Sequence, residues 1–552
     1  MPTEAPRQPP RKKPSVLWWI IGAFFLVLLI FLVQLFGASP RIDVSPQTTY
    51  VTTPLRADGL PDFEAYIRDR ARSGVTPQNN AAAVIWPMDW PGELSPPQCP
   101  PVAKELGIDA FPPASAALLP VYKALHNSAP SEKAADDAFD IVTTRPWTSA
   151  QYPALAKWAK QYQQQLDTIV KGSKLPRCYF PSPSHLNQEQ ETICMTLLPG
   201  PQSSREAGRS LSARAMWHAG EGRINEAWTD LLATFRIGRL VAQGPTLVEQ
   251  YVGMAINNMG CTSTAAMLHE CQPSADEARR MLDDLSSLPE FSGVADSIDQ
   301  MERIMFLDFV IAVSRGEMGS ESLRSMDGDQ RMKYLHHIRV DWNAVLKKVN
   351  EFHDRATAAA RTADRVARRQ ALAKVEDDLQ QLGRDTSTSS MLAAATNPAV
   401  RNEMVAGRLL EEGLSVVETA LNAQDFANTN LTLTRYAAAL AVFRAEHGAY
   451  PEKLDELVPG IFTTLPAGPF GANTFVFRPI GSGYLLYCTG PNGKDDDGSN
   501  GRLMIYHGID IEQLDDADSE ALKANPILDS DDISIRVPLP ALNASPIKPS
   551  DD

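Results

Sequence analysis

The chain has 552 residues but few of the side chains that build metal and redox centres, with nine histidines and six cysteines. No two cysteines form a C-x-x-C pair, which excludes the common zinc and dithiol motifs. His269 and Glu270 begin a metalloprotease helix, but Pro273 stands where the second histidine is required. Nucleophile elbows, phosphate-binding loops and dinucleotide-binding fingerprints are also missing. The sequence therefore contains no complete catalytic motif, which favours a protein without enzymatic activity.

Positive charge is also scarce, because 52 lysines and arginines face 67 acidic residues and the net charge is −15. An acidic surface repels polyanions and anionic lipid headgroups. We therefore expect no nucleic-acid partner, and we expect the folded part to stand off the membrane and to meet neutral, cationic or metal-bearing partners. Hydrophobic residues make up 43% of the chain, as in ordinary globular proteins, and the length predicts several folded units.

One long apolar run is present, from Val16 to Gly37, and it contains no charged residue. As a helix with a rise of about 1.5 Å per residue it spans about 33 Å, which is enough for the hydrocarbon core of a bilayer. The alternatives are a buried helix of a soluble protein and a cleaved signal peptide, but the run is longer than a usual signal core. The sequence therefore predicts a transmembrane helix at residues 16–37.

The charges around this run predict its orientation. Four cations precede it, and only Arg41 follows closely; the four are Arg7, Arg11, Lys12 and Lys13. The positive-inside rule then places the basic tail, residues 1–15, in the cytoplasm and the rest of the chain outside. We expect a single-pass protein of the bacterial inner membrane with a periplasmic C-terminus.

All six cysteines lie on the exported side, where disulfides can form. Cys178 and Cys194 flank a loop rich in Pro, Ser and Asn, and a bridge between them is the first expectation. Cys261 and Cys271 lie about 15 Å apart on a continuous helix, which is too far for a disulfide.

The predicted fold class is mainly α, with a small α+β domain at the end. Residues 38–65 are rich in Pro, Thr and Asp and predict an extended stalk. Apolar residues recur at three and four positions through much of 66–425, which predicts an ectodomain of irregularly packed helical hairpins. Within 426–540, a helix that stops at Gly448 and three or four strand-like runs predict a small antiparallel sheet laid on that helix. Residues 541–552 form an acidic tail.

Two stretches define the predicted helical body. Residues 205–244 form a helix, a turn at Gly220–Gly222 and a second helix, in the manner of a single helical hairpin. Residues 247–270 are apolar on most sides and predict a central helix.

Several motifs of the C-terminal part resemble a known domain. RAEHGAYPEKLDELVP, LPAGPFG and GYLLYCTGPNGKDDDGSNG resemble, in order and spacing, the C-terminal domain of the major pseudopilin of type II secretion systems. The resemblance covers about residues 430–535 and implies a long helix, a Tyr-Pro turn and a short sheet with a calcium-binding loop. GVTPQNNAAAVIW and GRLVAQGPTLVEQ, together with the tail, resemble a family of single-pass bacterial membrane proteins that has no assigned activity.

The chain also departs from the pseudopilins. It lacks their Gly-Phe-Thr-Leu-x-Glu processing site, and several hundred residues separate the apolar run from the tail. The continuous helix of a pilin therefore cannot form. The resemblance implies a shared domain and not a pilus subunit.

The loop GPNGKDDDGSNG is the candidate metal site. Its oxygen-bearing side chains are Asn492, Asp495, Asp496, Asp497 and Asn500. Clustered oxygen ligands with flexible glycines suit a hard cation, although the spacing is not that of an EF-hand. A solvated acidic turn is the alternative. The resemblance implies calcium, with Asn492, Asp495 and Asp497 as ligands and Asp532 as a distant candidate.

These observations together favour a membrane-anchored extracytoplasmic interaction or assembly protein, attached through residues 16–37 and bound to an unknown protein or cell-envelope partner. An extracytoplasmic hydrolase with a cleft between helices is the alternative, because scattered catalytic residues form no motif. A component associated with a secretion system is a third possibility, and the missing processing site counts against it.

Overall fold

The computed structural model describes residues 16–89, 94–182, 193, 199–317, 332–383, 387–411, 415–470, 475–500 and 530–539. These residues are mainly helical and contain one small antiparallel sheet, as the sequence predicts. They divide into two units. The first contains the described residues of Met1–Pro61, Phe306–Phe352 and Lys374–Leu414, and the second those of Asp62–Met305, His353–Ala373 and Ser415–Asp552.

The α-helices of the described residues are α1 (Val16–Phe36), α2 (Phe63–Ala71), α3 (Ala82–Ile85), α4 (Cys99–Leu106), α5 (Val121–His126), α6 (Glu132–Thr144), α7 (Pro153–Gln161), α8 (Gln163–Gly172), α9 (Pro199–Gly220), α10 (Ile224–Val241), α11 (Leu247–Glu270), α12 (Ala275–Ser287), α13 (Val294–Ser297), α14 (Arg303–Arg315), α15 (Trp342–Ala360), α16 (Arg365–Gly383), α17 (Thr388–Thr396), α18 (Pro398–Glu411) and α19 (Ser415–His447). Shorter helical turns are Trp86–Asp89, Ala114–Ala116, Met332–His337, Leu454–Leu457 and the π-helix Ile298–Glu302. The strands are β1 (Phe475–Ile480), β2 (Gly483–Cys488) and β3 (Ile533–Val537).

Helix α1 is the apolar run of the sequence. It is long and apolar enough to cross a membrane, and none of its most apolar window is buried inside the protein. It ends one residue before the predicted end at Gly37. Large side chains such as Trp18 and Phe24 are exposed along it. Its length matches the thickness of the hydrocarbon core of a bilayer.

The segment after α1 is not an extended stalk. Thr48, Thr49 and Val51 are buried, and the Asn350 side-chain amide donates hydrogen bonds to the carbonyl oxygens of Gln47 and Thr48 at 3.1 and 2.9 Å. Short polar side chains hydrogen-bond to nearby main-chain groups, so a segment rich in Thr and Pro folds into turns without a helical period. Residues 38–61 therefore belong to the first unit.

The second unit is built around α9, α10 and α11, which pack on one another. The predicted hairpin is present, with its turn between Gly220 and Ile224, and α11 has the predicted bounds. Gly238 of α10 lies so close to α11 that an added Cβ would be 2.7 Å from the carbonyl oxygen of Gly253. Glycine at these two positions therefore lets the helix backbones touch, as small residues do at close helix crossings.

The C-terminal part joins the same core. Helix α19 packs on α11 and α12 and ends before Gly448, whose positive φ of 80° is typical of a helix stop. The sheet has the order β1-β2-β3, all antiparallel, and β2 is buried along its whole length. Tyr436 of α19 contacts Phe475 of β1, with ring centroids 5.2 Å apart.

The predicted boundary between the helical body and the C-terminal domain does not separate two packed parts. The expected boundary at residue 426 falls inside α19, and side chains of α19 and the sheet belong to one hydrophobic cluster with those of α9–α12. Because they share this cluster, the tail and the helical body pack as one part, and the tail is not a separately packed module.

The strand-like run RLMIYH lies outside the described residues.

Candidate functional site

A cleft opens in the second unit between α2, the turn that joins α10 to α11, and the segment from α13 to α14. We call it the α2–α11 cleft. It consists of two adjoining cavities of about 140 and about 550 Å³, and the residues that line both are Ile67, Ala71, Cys178, Gln243, Gly244, Pro245 and Met301. Cavities of this order hold a small ligand or a few side chains of a partner.

The first turn of α11 forms the rigid wall of the cleft. Thr246 caps the helix, because its Oγ1 accepts a hydrogen bond from the Glu249 N–H at 3.1 Å. Glu249 completes the capping box, since its Oε2 accepts from the Thr246 N–H at 3.0 Å and from the Thr246 hydroxyl at 2.8 Å. Gln250 donates to the carbonyl oxygens of Ala242 and Gly244 at 2.7 and 3.1 Å. The side chains of Glu249 and Gln250, in the first turn of α11, therefore hold the preceding turn between α10 and α11 in place.

Two carboxyl groups line the cleft in a poorly solvated setting. Burial raises the pKa of Glu249 to about 7, although the hydrogen bonds from Thr246 oppose this shift. Burial also raises the pKa of Glu302, whose Oε1 lies 3.5 Å from the Leu247 nitrogen at the start of α11. Both groups therefore favour the neutral form more than an exposed glutamate does. A cation bound close to either carboxyl group would favour its ionised form.

The remaining side chains give the cleft an apolar wall with a few polar groups. Its apolar members include Ile67, Phe180, Val248, Met301 and Met305. Glu64 and Arg68 of α2 add one charge of each sign. This arrangement suits an apolar group that carries a positive or hydrogen-bond-donating end.

The cleft does not resemble a nucleophilic active site. Burial raises the pKa of the Cys178 thiol, which disfavours the reactive thiolate. Tyr179 donates its hydroxyl hydrogen to Glu105 at 2.6 Å, and burial is the main cause of its raised pKa. The Glu249 carboxyl group already accepts the two hydrogen bonds from Thr246 that complete the capping box. The residues described along these walls can bind and orient a ligand more readily than they can attack one.

The predicted calcium loop lies between β2 and β3, and two of its predicted ligands have other partners. Asp495 Oδ1 accepts a hydrogen bond from the Tyr487 hydroxyl at 2.9 Å. Asp497 Oδ1 forms an ion pair with Arg478 at 2.8 Å, and Arg478 also donates to the Tyr487 hydroxyl at 2.7 Å. The neighbouring Asp495 contributes to the raised pKa of Tyr487, about 12, although burial is the larger cause.

The third predicted ligand belongs to a second cluster in the same loop. The Asn492 side chain donates to Asp496 Oδ2 at 2.9 Å, and the Asn492 N–H donates to Asp531 Oδ2 at 3.0 Å. Asp532 Oδ2 accepts from the N–H groups of Asp496 and Gly498, both at 2.9 Å. The structure therefore places Asn492 with Asp496, Asp531 and Asp532, and it places Asp495 and Asp497 with Tyr487 and Arg478.

The oxygen-only donors of this second cluster fit a hard cation such as calcium. Asp532 is fully buried, and its Oδ1 has no hydrogen-bond partner. Burial raises the pKa of Asp532, which a bound cation would reverse. Within the described ranges, no three His, Cys, Asp or Glu side chains are grouped so as to hold a metal ion. A calcium ion there would therefore also need amide or main-chain oxygens.

Sequence reasoning missed the α2–α11 cleft. Its capping box is visible in the sequence as T-x-x-E at Thr246–Glu249. The burial of Glu249, however, depends on α2 and on residues near 300, and no local sequence pattern connects these segments.

Among the five cysteines described, none forms a disulfide, and Cys194, the predicted partner of Cys178, lies outside the described residues. No protein-family model, curated protein or solved structure matches the chain. Function is therefore inferred from the residues of this chain.

Proposed function

We propose that the protein is a membrane-anchored extracytoplasmic interaction or assembly protein of the bacterial inner membrane. The single observation that carries this proposal is α1, an unburied apolar helix of membrane-spanning length attached to a large acidic body. The cations before α1 support a cytoplasmic N-terminus. The folded units then lie in the periplasm, where their negative charge favours neutral or cationic partners.

The α2–α11 cleft is the proposed partner-binding surface. Its apolar wall would hold a hydrophobic side chain, and Glu302, Glu64 and the partly protonated Glu249 would face a basic group. We therefore propose that the partner is a protein segment that presents an apolar residue next to a lysine or arginine. Burial of such a pair gains apolar contact and ionises Glu302, so binding releases protons.

Photo-crosslinking in intact membranes tests this surface. A benzophenone-bearing residue at Val248, an exposed residue of the cleft, should capture one defined partner. Glu302→Lys should abolish the capture, because it reverses the charge that faces the basic group. The same probe at Val366, an exposed residue that does not line the cleft, is the control. Capture that is equal at both positions, or unchanged by Glu302→Lys, would remove the cleft from the proposal.

A hydrolase is the second candidate, because two carboxyl groups with raised pKa values line one cleft. It requires turnover of a defined substrate by the full-length protein in detergent, measured on panels of peptidoglycan, polysaccharide and peptides. Turnover that is lost in Glu302→Gln would establish this candidate over the first. The capping hydrogen bonds of Glu249 favour a structural role for that residue.

We also propose that the C-terminal loop binds calcium at Asp532, with Asn492 and main-chain oxygens as further ligands. The buried Asp532 oxygen without a hydrogen-bond partner supports this choice over Asp495 and Asp497. Calcium that binds only the folded form must raise the unfolding temperature of the full chain as its concentration increases. Asp532→Asn should abolish this increase, while Asp497→Asn should retain it. No increase at millimolar calcium would contradict the metal site.

A further inference from the structure

The last turn of α1 is built into the first unit. Three of its final carbonyl oxygens accept hydrogen bonds from protein groups: Val33 from the Gly37 N–H at 2.9 Å, Leu35 from the Arg339 N–H at 2.8 Å, and Gln34 from the Arg401 guanidinium at 2.9 Å. The last four carbonyls of any helix lack partners within the helix. The folded unit therefore begins at the end of the apolar helix, with no free linker between them.

Arg401 joins the C-terminal end of α1 to the C-terminal end of α17. Its buried guanidinium also donates to the carbonyl oxygens of Ala394 at 3.0 Å, Ala395 at 3.4 Å and Arg339 at 2.8 Å. Ala394 and Ala395 lie in the last turn of α17, so the C-terminal ends of α1 and α17 meet at one cation. The partial negative charge of both helix ends stabilises the guanidinium there.

Helix α17 has an unusual surface for this position. It packs against α1, and residues 387–400 contain no charged side chain. Ala394 is buried, whereas Met391 is 52% exposed and Leu392 is 65% exposed. Two large neighbouring apolar side chains on an uncharged helix form a surface that water solvates poorly. With nine residues, α17 is too short to cross a bilayer itself.

We infer that α17 is a second membrane contact, which lies in the interfacial layer beside α1 and inserts Met391 and Leu392 among lipid acyl chains. The occupant of this surface is the phospholipid bilayer, because α17 packs against the end of α1, the helix proposed to span the membrane. The exposed Arg41 and Arg339 lie at the same end of α1 and would meet lipid phosphates. This inference rests on the proposed membrane anchoring by α1, and it replaces the expectation that the folded part stands off the membrane.

Lipid photo-crosslinking of the full-length protein in vesicles of phosphatidylethanolamine and phosphatidylglycerol tests the inference. Benzophenone-bearing residues replace, one at a time, Met391, Leu392, Phe24 within α1, and Val366. Phe24 and Val366 are both 63% exposed, which matches the exposure of Leu392. Because all four side chains point away from the protein core, the probes should not disturb folding. We expect lipid adducts at Met391 and Leu392 with a yield about tenfold above that at Val366.

The outcomes separate this inference from the proposal on which it rests. No lipid adduct at Phe24 would contradict membrane anchoring by α1. Adducts at Phe24 together with only the Val366 background at Met391 and Leu392 would overturn the second contact alone. Adducts between two copies of the chain from Met391 or Leu392 would show that this face binds another copy, and would also overturn it.

Discussion

At the scale of single residues, Glu249 couples the cleft wall to pH. Its pKa is raised from 4.5 to about 7 by burial. The folded chain therefore binds this proton more tightly than the unfolded chain does. The resulting stabilisation is complete below pH about 4.5 and is lost as the pH rises to about 7, by roughly 3 kcal/mol at about 1.4 kcal/mol per pH unit.

Glu249→Gln should remove this slope, because the amide stays neutral and its oxygen can still accept hydrogen bonds from Thr246. Relative to the parent, the free energy of unfolding of the variant should increase by roughly 3 kcal/mol between pH 4.5 and pH 8. Denaturant unfolding followed by tryptophan fluorescence measures it. Glu277→Gln is the control, because Glu277 forms the same capping box with Ser274 at an exposed position. A similar pH-dependent gain in both variants would contradict the assignment to Glu249.

A second residue-scale prediction concerns a buried ion pair between the hairpin helices. Arg214 of α9 donates to both carboxylate oxygens of Asp230 of α10, at 2.8 and 2.7 Å, and to Asp167 at 2.7 Å. Both Arg214 and Asp230 are buried. Asp230→Asn leaves the guanidinium without its main counter-ion, so we expect a loss of about 3–5 kcal/mol in the free energy of unfolding.

The matched control for this pair is an exposed one. Lys348 and Glu351 lie 3.1 Å apart on the surface of α15. Glu351→Gln should cost less than about 1 kcal/mol, because water screens the pair. Urea unfolding of both variants compares the two costs. Equal losses would mean that the buried pair contributes no more than a surface one.

At the scale of secondary-structure elements, Arg401 should determine whether the end of α1 stays docked. Arg401→Gln removes the guanidinium that bonds to the carbonyl oxygens of Gln34 in α1 and of Ala394 and Ala395 in α17. Trypsin should then cleave after Arg41 about tenfold faster in vesicles, because the loss of charged hydrogen bonds raises the open population. Arg339→Gln is the control, since its contacts with Leu35 and Arg401 use main-chain atoms. The same cleavage rate in both variants would contradict the role of the guanidinium.

Elements were predictable where one local pattern determined them. The bounds of α11 follow from a Thr cap and a run that is apolar on most sides, and Gly448 ends α19 because glycine accepts a positive φ. The segment after α1 was not predictable, because Asn350, some 300 residues later, satisfies its carbonyl oxygens. The cleft was missed for the same reason, since its walls come from residues between Glu64 and Met305.

At the scale of the whole molecule, the arrangement of the chain predicts a topology. Alkaline phosphatase fused after Asp552 should be active, because that enzyme needs the oxidising periplasm, and alkaline carbonate should leave the protein in the membrane pellet. Removal of the positive charge before α1 provides the control. Replacement of Arg7, Arg11, Lys12 and Lys13 by Gln should lower the periplasmic signal. A fully cytoplasmic C-terminus in the parent would contradict both the proposed location and the calcium site.

The Arg401 contact also sets an order of events during biosynthesis. Gln34 emerges early, but the guanidinium that holds its carbonyl oxygen follows 367 residues later. At translation rates of about 5–20 residues per second, the two groups are separated by roughly 20–70 s. In the proposed topology, the Gln34–Arg401 hydrogen bond therefore forms only after most of the polypeptide has been exported. The contact between α1 and the first unit is therefore completed late, and a chain truncated before Arg401 would keep the Arg339–Leu35 hydrogen bond but lack the guanidinium that holds Gln34.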